Sequence, residues 1–157
     1  MAGVLVLLCC LSAAAAELRL YTEDYRPFSY LEEGRPSGMA VAVVEELIRR
    51  TGEAARIELV PWTRGYHQVR QQADTALFST VRTPAREPLF HWVGPIARGH
   101  TRFYSLKESG VRVANLDDVR QLGTLAVPKQ WYSYELLREQ QMENLYGVPT
   151  PQDMLRM

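Results

Sequence analysis

Apolar and polar positions change period repeatedly along the chain, and the changes predict strands alternating with helices. Residues 17–21, ELRLY, alternate with Leu18 and Leu20 on one face and read as a short strand. Residues 39–52, MAVAVVEELIRRTG, move to a helical period. There Val43, Leu47 and Ile48 share a face, and Glu45 and Glu46 precede Arg49 and Arg50 at favourable offsets. Gly52 stands where a C-cap belongs. ARIELV (55–60) reads as a strand ended by Pro61, 64–73 as a helix, and TALFS (75–79) as a buried strand. Between the first strand and the first helix lies a loop rich in Pro, Gly and charge that also carries Tyr25, Phe28 and Tyr30. The β-α-β-α-β order predicts an α/β fold with a mostly parallel sheet covered on both faces.

The pattern changes after Gly94-Pro95. TRFYSL (101–106) reads as a strand leading out of the first α/β unit, and Lys107–Gly110 as a polar turn. NLDDVRQL predicts a helix capped near Asn115 with acids in its first turn, ended by Gly123 before the strand TLAV. A helix over about 133–141, a short strand NLYGV (144–148) and a helix opened by Thr150-Pro151 complete a second α/β unit.

The first residues stand outside this alternation. MAGVLVLLCCLSAAAA is a short apolar run with small residues at its end, too short to span a bilayer as a helix. It reads as the apolar region and cleavage site of a secretory signal peptide covering 1–16, with cleavage before Glu17. Cys9 and Cys10, the chain's two cysteines, lie within it, so the processed chain is expected to have neither disulfide nor thiol chemistry.

Composition narrows the classes. The 157 residues are 46% hydrophobic and 23% charged, which suits a globular protein. Lys+Arg and Asp+Glu are equal at 18 each, so no net field draws the chain to nucleic acid or an anionic membrane. The three histidines lack metal-ligand spacing, and neither a phosphate-binding loop nor a nucleophile elbow occurs. No cofactor, metal or nucleic-acid partner is expected.

One stretch raises a chemical question. STVRTPAREPLF (79–90) follows an apolar strand and holds Arg82 and Arg86 around Thr83-Pro84, an N-cap followed by proline at the first helical position. Arg86 then falls in a first turn, where the helix dipole disfavours a cation. Either a bound anion offsets this through free amides and the guanidinium, or Arg86 pairs with Glu87, Glu58 or another internal carboxylate.

A resemblance adds to this reading. Tyr25-Arg26-Pro27-Phe28-Ser29-Tyr30, Gly34 and Gly38 before a helix, Pro61-Trp62, Thr83-Pro84-Ala85-Arg86-Glu87 and Gly94-Pro95 occur in order. Together they resemble the amino-acid-binding family of bacterial periplasmic solute-binding proteins of ABC transporters. The resemblance implies a periplasmic-binding-protein-like fold of two α/β lobes that close on a ligand about a strand hinge. On that pattern the first lobe covers 17–100, the hinge strand 101–106 and a partial second lobe 107–157.

At matching positions the resemblance implies that Arg86 holds a ligand carboxylate and that Tyr25 and Trp62 flank the ligand side chain. It also implies that Ser79 stands where the backbone faces an amino group. Two departures are Val81, where the family often has a hydroxyl residue, and Met39-Ala40-Val41-Ala42, where acids often occur. The implied protein is a periplasmic, non-enzymatic monomer that captures an amino acid or related carboxylate and passes it to a membrane permease. The alternatives on the same fold are a dehydratase-like enzyme and a sensory input domain. The second lobe is expected to be truncated, with roughly 80–100 residues absent by comparison with two-lobe proteins of this class. A lobe cut short in this way would leave an open sheet edge and favour aggregation over capture.

Overall fold

A computed structural model describes residues 17–129 and 131–157. The expected signal peptide, with Cys9 and Cys10, lies outside the described residues. The chain divides into two compact units, the first ending at Phe78 and the second running Ser79–Met157.

In the first unit, β1 (Leu18–Thr22) leads through the Tyr25 loop into a hairpin of β2 (Tyr30–Glu32) and β3 (Arg35–Ser37). Then follow α1 (Met39–Thr51), β4 (Ala55–Leu59), α2 (Trp62–Val69) and β5 (Thr75–Leu77). The sheet is parallel throughout, in the order β4-β1-β5, with Leu20 opposite Ile57 on one side and Ala76 on the other. The central strand carries the core: Leu20 and Tyr21 are buried, as are Ala40, Val41 and Val44 of α1. Each of the larger apolar side chains contributes roughly 1.5–3 kcal/mol by leaving water. The expected α1 boundaries hold, with Gly52 as a left-handed C-cap whose N–H donates to the Ile48 carbonyl.

The face of α1 differs from expectation. Val43 and Leu47, read as sharing one apolar face with Ile48, are about half exposed and line up with exposed Met39 at i, i+4 spacing. The run MAVAVVEELI holds two apolar stripes, 39/43/47 and 40/41/44, and the sheet receives the second. Periodicity alone cannot choose between stripes of similar composition.

The hairpin is also a departure, since its span was expected to be loop. Glu32 pairs with Arg35, leaving a two-residue turn at Glu33-Gly34, both with positive φ, 50° and 78°. Such turns usually carry Asn or Asp before Gly, and glutamate at the first position hides the signal.

In the second unit, Glu87–Leu89 and Lys107–Ser109 form single 3-10 turns. α3 (Leu116–Arg120), β6 (Leu125–Pro128), α4 (Tyr132–Glu139), β7 (Leu145–Val148) and α5 (Pro151–Met154) follow. β6 and β7 pair in parallel. Val119, Val127, Leu137 and Met142 make the core, with Leu125, Tyr134 and Leu145 packed against it. Asn144 Nδ2 closes the end of α3 by donating to the Val119, Leu122 and Gly123 carbonyls.

The α3 cap is the one expected. Asn115 Oδ1 accepts from the Asp117 and Asp118 amides, and the Asp118 carboxylate accepts from the Asn115 amide. Asn115→Ala should therefore cost about 1 kcal/mol in urea unfolding, whereas a change within 0.2 kcal/mol would show that the cap carries no weight.

Two expectations in this unit fail. Residues 101–106 carry no strand, and every residue from 101 to 110 is exposed. TRFYSL has the composition of a strand, but a strand needs a hydrogen-bonded neighbour, and among the described residues none pairs with it. The helix expected after Thr83-Pro84 does not propagate. Thr83 accepts from the Arg86 and Glu87 amides through its carbonyl, and its Oγ1 accepts from the Arg86 amide at 3.3 Å. The turn then ends in the 3-10 segment because Pro88 offers no N–H and disfavours helical backbone at Glu87.

Candidate functional site

The first unit presents two of the expected residues. Tyr25 stands on the loop that leaves the C-terminal end of β1, and Trp62 opens the helix after β4; β1 and β4 are adjacent parallel strands joined there by the Val60 amide donating to the Thr22 carbonyl at 2.8 Å. Both residues therefore lie at one edge of one sheet, the edge at which open α/β sheets meet small ligands.

Tyr25 is held by a tight turn. Its amide donates to the Ser29 carbonyl at 2.7 Å, and its carbonyl accepts from Phe28 and Ser29 at 2.8 and 3.0 Å. Its ring stacks on Phe28 at 5.4 Å. Beneath the turn Thr22 and Ser29, both buried, share a hydroxyl hydrogen bond of 3.0 Å. The turn also docks on the start of α1, whose Met39 and Ala40 amides donate to the Pro27 and Phe28 carbonyls at 3.1 and 2.9 Å.

Trp62 opens α2 and sits 5.5 Å from Tyr66 one turn on, while Arg70 lies over the Tyr66 ring at 5.7 Å, another turn on. The three form an aromatic and cationic ladder on one helix face.

The second unit holds Ser79 and Arg86. Ser79, the residue after Phe78, is exposed and takes left-handed backbone with φ 62°. Arg86 is 3% exposed, the most deeply buried arginine among the described residues. Its Nε and Nη2 donate to one oxygen, Glu135 Oε2, at 3.2 and 2.7 Å. Glu135 lies in the first turn of α4, where the helix dipole favours an acid, and 43% of its side chain is exposed. Of the alternatives open for Arg86, pairing with an internal carboxylate is thus observed, and the carboxylate is neither Glu87 nor Glu58.

Glu87 instead takes Arg82 in a two-pronged pair. The hydrogen bonds from Arg82 hold the Glu87 carboxyl below its ordinary range. Trp92 Nε1 donates to the Glu87 carbonyl at 3.3 Å and its ring lies 5.7 Å from the Arg82 guanidinium, so a surface cluster accounts for Arg82.

Glu135 is the residue that sequence reasoning missed. An acid in a helix first turn satisfies the dipole and so looks ordinary, and its separation of 49 residues from Arg86 leaves no local signal. Among the described residues, no group of three or more His, Cys, Asp or Glu could hold a metal ion. No helix among them is long and apolar enough to cross a membrane.

The fold is periplasmic-binding-protein-like. The chain belongs to the bacterial extracellular solute-binding proteins, family 3, whose model matches residues 18–148. No curated relative matches it.

Solved structures share its fold, three of them as follows. A histidine kinase sensor domain with similarity to periplasmic binding proteins is 20% identical, with a TM-score of 0.74 over 89% of this chain and 62% of that one. The AvGluR1 ligand-binding domain in complex with glutamate is 17% identical, with a TM-score of 0.68 over 89% and 63%. An ancestral arginine-binding protein bound to arginine is 12% identical, with a TM-score of 0.66 over 89% and 64%. The chain thus spans a little under two thirds of the length of each.

Proposed function

We propose that this chain captures a small amino-acid-like or carboxylate ligand outside the cytoplasm, in the periplasm, and presents it to the membrane permease of an ABC transporter. Arg86 takes the ligand carboxylate, Tyr25 and Trp62 cover its apolar part, and the Ser79 backbone faces its amino group. The protein acts as a monomer and returns the ligand unchanged.

The observation that carries this reading is the state of Arg86. A guanidinium at 3% exposure has lost most of its hydration, so it demands an anion with good geometry. The anion it holds sits on a side chain 43% exposed, which solvent can receive. The cation is enclosed while the Glu135 carboxylate is open to solvent, which suits a carboxylate receptor. Membership of a solute-binding family supports the same reading.

The test is calorimetry with a panel of amino acids and short carboxylates, glutamate and arginine among them. Arg86→Ala should weaken the best ligand by about 1.5–3 kcal/mol, or roughly ten- to a hundredfold. Circular dichroism confirms that the variant is folded. Unchanged affinity in a folded variant removes Arg86 from the site, and turnover of the ligand followed by NMR would favour a dehydratase-like enzyme instead.

A further inference from the structure

In the reading above Glu135 serves only as the partner that a ligand replaces, and it occupies the group on which that reading depends. We propose that Glu135 is a charge filter: it holds the Arg86 guanidinium until a ligand carboxylate replaces it, and so selects zwitterionic ligands over plain carboxylates. This rests on the proposed role of Arg86 and adds to it the charge class of the ligand.

The geometry gives the reason. Nε and Nη2 of Arg86 converge on the single oxygen Glu135 Oε2, at 3.2 and 2.7 Å, so a carboxylate that takes this edge of the guanidinium must replace the acid. Arg86 is buried and cannot turn away to meet a ligand elsewhere, whereas Glu135 is half exposed and can swing aside. An arriving carboxylate therefore meets one guanidinium and one carboxylate already in contact. Two carboxylates about 4 Å apart repel by roughly 4 kcal/mol near a protein surface, before any relaxation into water.

A ligand with a cationic group beside its carboxylate escapes this penalty. It brings one charge of each sign, so the local balance is the same before and after exchange, and its cation offsets the displaced Glu135. A plain carboxylate adds an uncompensated negative charge. Discrimination thus arises from an acid that the protein keeps in place, rather than from an added attraction.

Arg86→Lys would blur the filter by losing the planar two-nitrogen grip, so the informative change is at the acid. Glu135→Gln keeps shape and hydrogen bonding while removing the charge. The probes are glycine and acetate, which differ by one ammonium group. Each is titrated at constant ionic strength into the full chain and into E135Q, and binding is read from the Arg86 Nε–H resonance in ¹⁵N-labelled protein.

In the unsubstituted chain glycine should shift that resonance at lower concentration than acetate. In E135Q acetate should bind about tenfold more tightly while glycine does not gain, so the ratio of the two dissociation constants collapses. A ratio that stays within twofold of the unsubstituted value, or an Arg86 resonance that neither probe moves in either protein, overturns the filter. If Arg86→Ala abolishes binding of the wider panel while the ratio stays put, the filter alone falls. If Arg86→Ala leaves panel binding intact, the carboxylate-receptor reading falls first.

Discussion

Gly38→Ala should unfold the first unit at markedly lower urea than the unsubstituted chain, with a loss of about 4 kcal/mol. Two independent terms combine. Gly38 has φ 120° and ψ 169°, a backbone conformation that side chains rarely tolerate, at a cost of roughly 1–3 kcal/mol. In addition, a Cβ placed there would lie 2.4 Å from the Phe28 carbonyl oxygen and 2.9 Å from that of Pro27, both backbone atoms that cannot rotate aside. Relief requires the Tyr25 loop to leave the start of α1, breaking the hydrogen bonds from Met39 and Ala40 at about 1 kcal/mol each. Gly34→Ala serves as the comparison, because its φ is 78° but a Cβ there would meet nothing within 4 Å. It should cost about 1 kcal/mol from backbone strain alone. Equal losses for the two variants would refute the close approach of loop and helix.

The second large effect lies in the other unit. Met142→Ala should cost about 2–5 kcal/mol, since Met142 is 2% exposed and packed among Val119, Val127 and Leu137. This core is small, so loss of one member removes a large part of its apolar contact. Leu155→Ala, at 79% exposure, should change unfolding by less than about 0.5 kcal/mol. Comparable losses at the two positions would show that Met142 is not packed as described.

Both experiments also separate stability from binding. On the proposed role of Tyr25, Gly38→Ala acts on the loop that presents it and should weaken ligand capture together with folding. Met142→Ala acts on the hydrophobic interior beneath α4, and its binding defect should disappear when compared at equal fractions folded.

Several features of the fold were legible in the residues because they are local. The β-α-β-α-β order follows from short apolar runs alternating with helical periods, and the parallel β4-β1-β5 sheet matches it. Asn115 and Thr150 were identifiable as caps because a side-chain oxygen two or three residues before an amide needs nothing from elsewhere in the chain. Features that depend on a distant partner were not legible. TRFYSL has strand composition without a strand, and Val43 and Leu47 have apolar side chains without a core to enter. The Glu33-Gly34 turn was hidden because its first residue is not one that usually accepts positive φ.

The candidate site divides along the same line. The sequence by itself determined the alternating architecture, the family pattern running from Tyr25 to Pro95, and Arg86 as the cation to watch, since all of these are written in neighbouring residue types. The tertiary structure alone decided which stripe of α1 is buried, that the Thr83 turn stops short of a helix, and that Arg86 is enclosed and paired with Glu135. Periodicity and capping are short-range and survive in any window of the sequence. Burial and ion pairing between residues 49 apart exist only once folding has brought their atoms together.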